Sequence, residues 1–245
     1  MKNFLITDGY VEASRTDASF RLSITGMLEL IEDVVTLHTN EMHVDAPTLY
    51  KEDKAFWVVA RSCLHIERTP VWQEQIVVGT HPLPPMLTRC ERQSYITDKS
   101  GNLLVSSKTD WCALDAETRR PRAVSSLKSY PSEMQHKTDR VYLGSLSVKM
   151  PDFSEKDAKL TQVMRYSDLD FNHHVNNTKY VNFIYDCYPS SFWDNAEIGD
   201  VRIDYLHELK EGETLTVYSI IDGKTVFFKG ATKEKNIFSA VLVLK

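Results

Sequence analysis

Apolar positions run through the same succession of periods twice along the chain: a short strand, a polar turn, a helical stripe, then four strand-like runs. In the first copy Ile24, Met27, Leu28, Ile31, Val34 and Val35 recur at helical spacing, predicting an amphipathic helix from residue 23 to about residue 42. Strand-like runs follow at residues 56–66, 75–80, 88–97 and 103–114, with Gly101-Asn102 as the tight turn between the last two. In the second copy residues 162–166 read as a strand, and Tyr180, Val181, Ile184, Tyr185 and Tyr188 form the helical stripe that Pro189 ends. Four more strands are predicted at 201–205, 214–221, 225–230 and 237–244, Asp222-Gly223 being a strong hairpin signal between two of them.

A long helix followed by an antiparallel meander buries its stripe best by lying across the sheet. The predicted class is therefore α+β, with two tandem repeats in which a sheet wraps a helix, the hotdog arrangement. Residues 1–117 form the first repeat, residues 159–245 the second, and 118–158 the connection. A connector of that length is more often functional than idle.

Composition narrows the function classes. At 245 residues with 42% hydrophobic content the chain can bury an ordinary core without staples. Cys63, Cys90, Cys112 and Cys187 are far apart and make no C-x-x-C pair, so they read as reduced thiols of a cytoplasmic protein, with neither a zinc site nor a disulfide framework. The start, Met1-Lys2-Asn3-Phe4-Leu5-Ile6-Thr7-Asp8, is too short in apolar residues for a signal peptide. No later run approaches the ~18 needed to cross a membrane. A net charge of -5 argues against nucleic-acid binding. Between residues 118 and 150, however, Arg119, Arg120, Arg122, Lys128, Lys137, Arg140 and Lys149 stand against only Glu133 and Asp139, a basic island in an acidic protein.

The candidate chemistry lies where a strand hands over to a helix, in Arg165-Tyr166-Ser167-Asp168-Leu169-Asp170-Phe171-Asn172-His173-His174-Val175-Asn176-Asn177. Asp170, Asn172 and His174 alternate with Phe171 and His173, so an extended backbone would point all three to one side. A helix beginning near Asn176 or Asn177, with Asn177 as its cap, would add unpaired N–H groups and a positive dipole end suited to an oxyanion. Read blandly, the segment is an Asx-rich turn that caps a helix. Its acids, amides and imidazoles exceed what one cap needs.

Asp170-x-Asn172-x-His174-Val175-Asn176-Asn177-x-x-Tyr180, preceded by Arg165-x-Ser167-Asp168, resembles the signature of the plant and bacterial acyl-ACP thioesterases. Trp57-Val58-Val59-x-Arg61, Arg68-Thr69-Pro70-x-Trp72 and the Thr118-Arg119-Arg120 turn are similar in the same order along nearly the whole chain. The resemblance implies a double hotdog that hydrolyses fatty acyl-ACP, with Asp170, Asn172 and His174 matching the family's catalytic Asp, Asn and His. It places the catalytic Glu on Glu208, which from its own surroundings would read as a solvated turn residue. Plant members commonly carry a Cys after that Glu, once considered a nucleophile; Leu209 stands here, which on this assignment excludes a cysteine mechanism.

A thioester is already activated, so water must be positioned and negative charge stabilised, with no metal or organic cofactor required. No G-x-S-x-G elbow is present, which removes the serine route of the α/β-hydrolases. Glu208 and His174 are expected to deprotonate water, Asn172 to fix the geometry and helix-start amides to hold the oxyanion. Asp170 either holds the array or attacks directly to form an anhydride. Setting Asp17 against Asp168 places Ser19, Arg21 and Ser23 where Asp170, Asn172 and His174 stand, so one reactive site per chain is expected. Met27, Leu28 and Ile31 on the first helix are candidate acyl-pocket residues, Met adapting best to chains of different shape.

Acyl carrier protein, bearing its acyl chain on phosphopantetheine, is acidic, which makes Arg119, Arg120 and Arg122 candidate docking residues. Alternatives are an acyl-CoA thioesterase of the same fold, a hotdog dehydratase or hydratase, and a non-catalytic acyl-binding hotdog protein. Dehydratases usually space the His differently and follow the Asn with Pro, whereas His173 follows Asn172. A sensor would need a DNA-binding segment that the chain has no room for. Chain-length preference and pairing as a homodimer stay open.

Overall fold

The computed structural model describes residues 3–131, 136–144 and 146–245; Met1, Lys2 and Glu133, used above, lie outside the described residues. Among the described residues ten strands form one antiparallel sheet. In the first half β1 (Leu5–Tyr10) leads to helix α1 (Ile24–Glu41), the short helix α2 (Ala46–Asp53), and strands β2 (Ala55–Ile66), β3 (Gln75–Pro82), β4 (Arg89–Asp98) and β5 (Leu103–Asp115). The second half repeats the plan with β6 (Ala158–Val163), α3 (Lys179–Tyr185), α4 (Ser190–Trp193), β7 (Ile198–Tyr205), β8 (Thr214–Asp222), β9 (Thr225–Ala231) and β10 (Asn236–Leu244).

The strand order β1-β3-β4-β5-β2-β7-β10-β9-β8-β6 is symmetric about the β2–β7 seam. Each half runs first, third, fourth, fifth, second, and the two second strands meet. The seam pairs Arg61 with Asp204 and His65 with Asp200, and its side chains add an Arg61–Asp204 ion pair and a 2.8 Å contact from His65 Nδ1 to Asp200. The fold is the double hotdog that the sequence pattern implies.

Helix α1 forms where the stripe predicts it. Ser23 caps it by accepting from the Gly26 amide at 2.9 Å, an interaction worth about 1 kcal/mol. Ile24, Met27, Leu28, Ile31, Val34 and Val35 are all buried, each contributing about 1.5–3 kcal/mol of transfer free energy. Three expectations shift. The strand read at 162–166 is Ala158–Val163, because Met164 turns into the core and residues 166–168 form a tight helical turn. The second helix is shorter than its stripe, seven residues against eighteen. Helix α2 was not foreseen; Asp45 caps it through the Thr48 amide at 3.1 Å, with Pro47 at its start.

The connection is laced onto the first half. The Gln93 side-chain oxygen accepts from the Val141 and Tyr142 amides at 2.9 Å, Ser106 Oγ accepts from Leu143, and His81 Nε2 lies 2.8 Å from the Asp139 carbonyl.

Candidate active site

Residues 169–175 do not run extended. Leu169 and Val175 bridge antiparallel, the Asp170 amide donates to the His174 carbonyl at 2.8 Å, and His173 sits in the left-handed region at φ 59. One oxygen of the Asp170 carboxylate accepts from the Asn172 amide at 2.7 Å and, more weakly, from the His174 amide at 3.4 Å. The expected alternation therefore gives way to a closed turn, because a carboxylate one residue inside a bridge can satisfy the amides the loop would otherwise leave bare. The turn still gathers Asp170, Asn172 and His174 on one cavity wall, and Glu208 joins them there.

The same turn occurs in the first half. Thr16 bridges Leu22, the Asp17 amide donates to the Arg21 carbonyl at 2.7 Å, Asp17 accepts from the Ser19 and Arg21 amides, and Phe20 is left-handed at φ 59. Asp17 thus corresponds to Asp170, not to Asp168 as the sequence register had it. Ser19 stands for Asn172, Arg21 for His174 and Ser23 for Asn176. Arg21 pairs with Asp17 at 3.3 Å instead of facing the cavity.

His174 Nε2 lies 3.4 Å from the Glu208 carboxylate. Burial pushes the His174 imidazole below its ordinary pKa; Glu208 opposes that shift and Arg119 adds to it. The ring is accordingly neutral at neutral pH and able to take a proton. Glu208 is fixed twice over: Lys235 Nζ donates to its carbonyl at 2.9 Å, and Arg119 forms an ion pair with its carboxylate.

Arg119, a candidate docking residue above, lines the cavity beside Glu208. Asp115 accepts from the Thr118 amide at 2.8 Å and shapes a turn that puts Arg119 at φ 60. The guanidinium lies 4.4 Å above the Phe56 ring. Arg122 is likewise engaged, donating to the Asp53 carbonyl. Of the three docking candidates Arg120 alone keeps an exposed position without a side-chain bond to the body among the described residues.

The oxyanion expectation also changes. Helix α3 starts at Lys179 with Thr178, not Asn177, as its N-cap residue and no side-chain cap bond; Asn176 accepts from the Thr178 amide at 2.8 Å in the turn before it. The amides of Val175, Asn176 and Asn172 are taken by Leu209, Asp168 and Asp170. Asn177 turns its side chain to the cavity.

That cavity holds about 500 Å³ and is mainly apolar beyond the catalytic turn. It runs from Glu208, after β7, beneath β2 and β5 to Cys90 and Arg92 on β4. Three strand spacings amount to roughly 14 Å. Met27, Leu28 and Ile31 do not line it: Met27 is closed in the core, and Leu28 and Ile31 border only a separate void of about 10 Å³. The wall is built by the next turns of α1, Glu32, Val35, Thr36, Thr39 and Met42. At the far end Arg92 is buried, with His38 Nδ1 at 2.6 Å.

No thiol here is a ready nucleophile. Burial pushes Cys90, the cysteine on the cavity wall, up to about 11. Leu209 is buried in the core. No helix among the described residues is long and apolar enough to cross a membrane.

The fold and this single-sided constellation define a double-hotdog protein whose second half carries an acid, amide and imidazole turn over a largely apolar cavity. The chain belongs to the acyl-ACP thioesterase family, matching its N-terminal domain over residues 8–127 and its C-terminal domain over residues 152–240. It is 25% identical over 237 residues to the chloroplastic palmitoyl-acyl carrier protein thioesterase of Cuphea hookeriana, covering 90% of this chain and 54% of that protein. The chain thus spans about half the length of the curated relatives it matches. Among solved structures, an acyl-ACP thioesterase from Bacteroides thetaiotaomicron superposes with a TM-score of 0.86 at 18% identity, covering 99% of this chain and 98% of that one. The 12:0-ACP thioesterase of Umbellularia californica gives 0.83 at 18% identity, covering 100% and 98%. At that identity the superpositions speak to the fold.

Proposed function

We propose that the protein hydrolyses fatty acyl-ACP thioesters to free fatty acid and holo-ACP in fatty acid synthesis, through Asp170, Asn172, His174 and Glu208. The observation that carries the reading is a half-buried imidazole facing an apolar cavity with a carboxylate at 3.4 Å. His174 removes a proton from water, whose oxygen attacks the thioester carbon. Glu208 stabilises the imidazolium as it forms, and Arg119 holds Glu208 in place. On collapse the C–S bond breaks, and the departing pantetheine sulfur takes the proton back from His174.

Asp170 acts as the orienting member. One oxygen of its carboxylate is committed to the turn's own amides, and Asp17 makes the same bonds in a half without the imidazole. That favours the water route over an anhydride.

In this reading the first half supplies the acyl cavity and the second the chemistry. Phe171 and Leu206, both exposed at the cavity mouth, offer apolar contact to the pantetheine arm. Arg120 offers the acidic carrier a free cation, and the cytoplasm is the expected compartment. A panel of acyl-ACPs tests the proposal: release of free fatty acid, faster than from the same acyl chain on CoA, is expected. Equal or faster CoA hydrolysis would move the assignment to an acyl-CoA thioesterase.

A further inference from the structure

One polar group on the cavity wall has no place in the chemistry above. Glu32 projects from α1 of the first half into the cavity that the catalytic turn of the second half faces. It is half-buried and lines that cavity. The Asn177 side chain hydrogen-bonds it, and Asp170 is the neighbouring acid whose like charge acts on it most strongly.

The symmetry of the fold makes this placement informative. Tyr185 on α3 corresponds to Glu32 on α1, and Ile24 to Asn177. Across the pseudo-twofold the Tyr185 hydroxyl meets the Ile24 amide at 3.2 Å. Beside the turn without the imidazole, this helix-to-helix position is thus filled by a bulky phenol from α3. Beside the turn that faces the cavity, it is filled by a carboxyl from α1 next to an amide.

The chemistry needs such a group. A tetrahedral intermediate places negative charge on the former carbonyl oxygen, and hydrogen-bond donors must be aimed there in advance. The backbone amides of Asn172, Val175 and Asn176 are already engaged, as described above. A carboxyl can donate only when it holds its proton, and the balance of the surroundings of Glu32 favours that form. Burial is the largest cause, Asp170 on the turn and Asp33 and Glu29 on its own helix add repulsion, and only the Asn177 hydrogen bond works in the other direction. Tyr205 on β7 faces it too. The group titrates at about 7, and an apolar acyl chain displacing water from the cavity would raise it further.

We propose that Glu32 is a catalytic residue of this site: a protonated carboxyl, oriented by Asn177, that donates a hydrogen bond to the thioester carbonyl oxygen. The proposal rests on the thioesterase reading of the cavity. Its proton stays on Glu32 throughout, so the balance of the hydrolysis is unchanged. A protonated acid serving as an oxyanion donor is chemically sound wherever burial keeps it neutral.

The test compares Glu32→Ala and Glu32→Gln on one acyl-ACP, with His174→Ala alongside and thermal melts confirming that each variant folds. Glu32→Ala is expected to lose roughly 10²-fold in kcat with KM within a few fold. Glu32→Gln keeps an N–H donor in nearly the same place and is expected to recover most of that loss. It should also lack the alkaline decline that wild type shows as Glu32 ionises. Wild-type kcat in Glu32→Ala, or equal losses in both variants, would overturn the proposal. Should Glu32→Ala not fold, the Gln variant decides alone: an alkaline limb identical to wild type's overturns the donor role. Full activity in His174→Ala would instead sink the site reading beneath it, so the two failures are distinguishable.

Discussion

The turn at residues 16–22 and the turn at residues 169–175 share a bridge, a left-handed residue at the same place, and an aspartate that accepts from two amides of its own loop. They differ in what the fixed positions carry: Ser19 and Arg21 in one, Asn172 and His174 in the other. The difference separates two jobs that a single copy would confound. Closing the turn uses the aspartate; the proposed chemistry uses the imidazole, with Glu208 beside it. In the first half Arg21 folds back on Asp17, and Ser19 reaches Asp194 at 3.3 Å. The same loop is there spent on packing.

Exchanging the side chains tests this separation. His174→Arg, which gives the second turn the first turn's residue, is expected to lower kcat by roughly 10³-fold or more while the turn stays closed. Arg21→His should create no second site, because no carboxylate corresponding to Glu208 awaits it: the equivalent position, before Pro70, is Thr69. Steady-state kinetics on acyl-ACP reads both.

Glu208→Gln comes next, with an expected loss of roughly 10²-fold in kcat. The effect of Arg119→Ala should be less than about tenfold, since a half-exposed ion pair is worth at most about 1 kcal/mol. A loss from Arg119→Ala as large as that from Glu208→Gln would mean that the arginine contacts substrate. The acid limb of kcat/KM should have its midpoint below 6.5, the ordinary imidazole value, because burial depresses His174. The sign follows from the base: activity is present above that midpoint and is lost as pH falls and the ring takes up a proton. A midpoint above 6.5 would indicate that Glu208 outweighs burial.

The smallest effects concern the aspartates. Asp17→Ala and Asp170→Ala should each cost about 1–2 kcal/mol of stability by denaturant unfolding, having lost equivalent amide acceptors. Only Asp170→Ala should lower activity. Equal stability costs with unequal kinetics would sharpen the comparison between the turns. An active Asp17→Ala with no stability cost would break the equivalence.

The sequence made the fold legible because each half repeats a change of period, from helical to alternating, that only a helix-wrapping sheet satisfies. The members of the catalytic turn were legible as residues but not as geometry. An Asp with amides to cap curls the chain, so alternation along an extended strand was the wrong reason for their convergence. The repeat register was two residues out for a related cause: Asp168 and Asp170 are interchangeable as letters, and only the bridges Thr16–Leu22 and Leu169–Val175 tell them apart.

The pairing of Arg119 with Glu208 was not legible, because an arginine in a basic run carries no mark of the Asp115 turn that aims it inward. The acyl-pocket residues were misplaced by about a turn, since periodicity locates the buried stripe of α1 but not which part of it meets empty space. Glu32 left no sequence signal at all: a glutamate beside Asp33 on an amphipathic helix reads as a solvated residue, and only the fold turns it toward the cavity.

The most direct test of the central claim is a single-turnover measurement of fatty acid release from acyl-ACP by wild type, His174→Arg and Arg21→His. Release by wild type and Arg21→His at similar rates, with His174→Arg slowed roughly 10³-fold, is the expected result. Turnover that survives in His174→Arg but is lost in Arg21→His would place the chemistry in the other half and contradict the assignment.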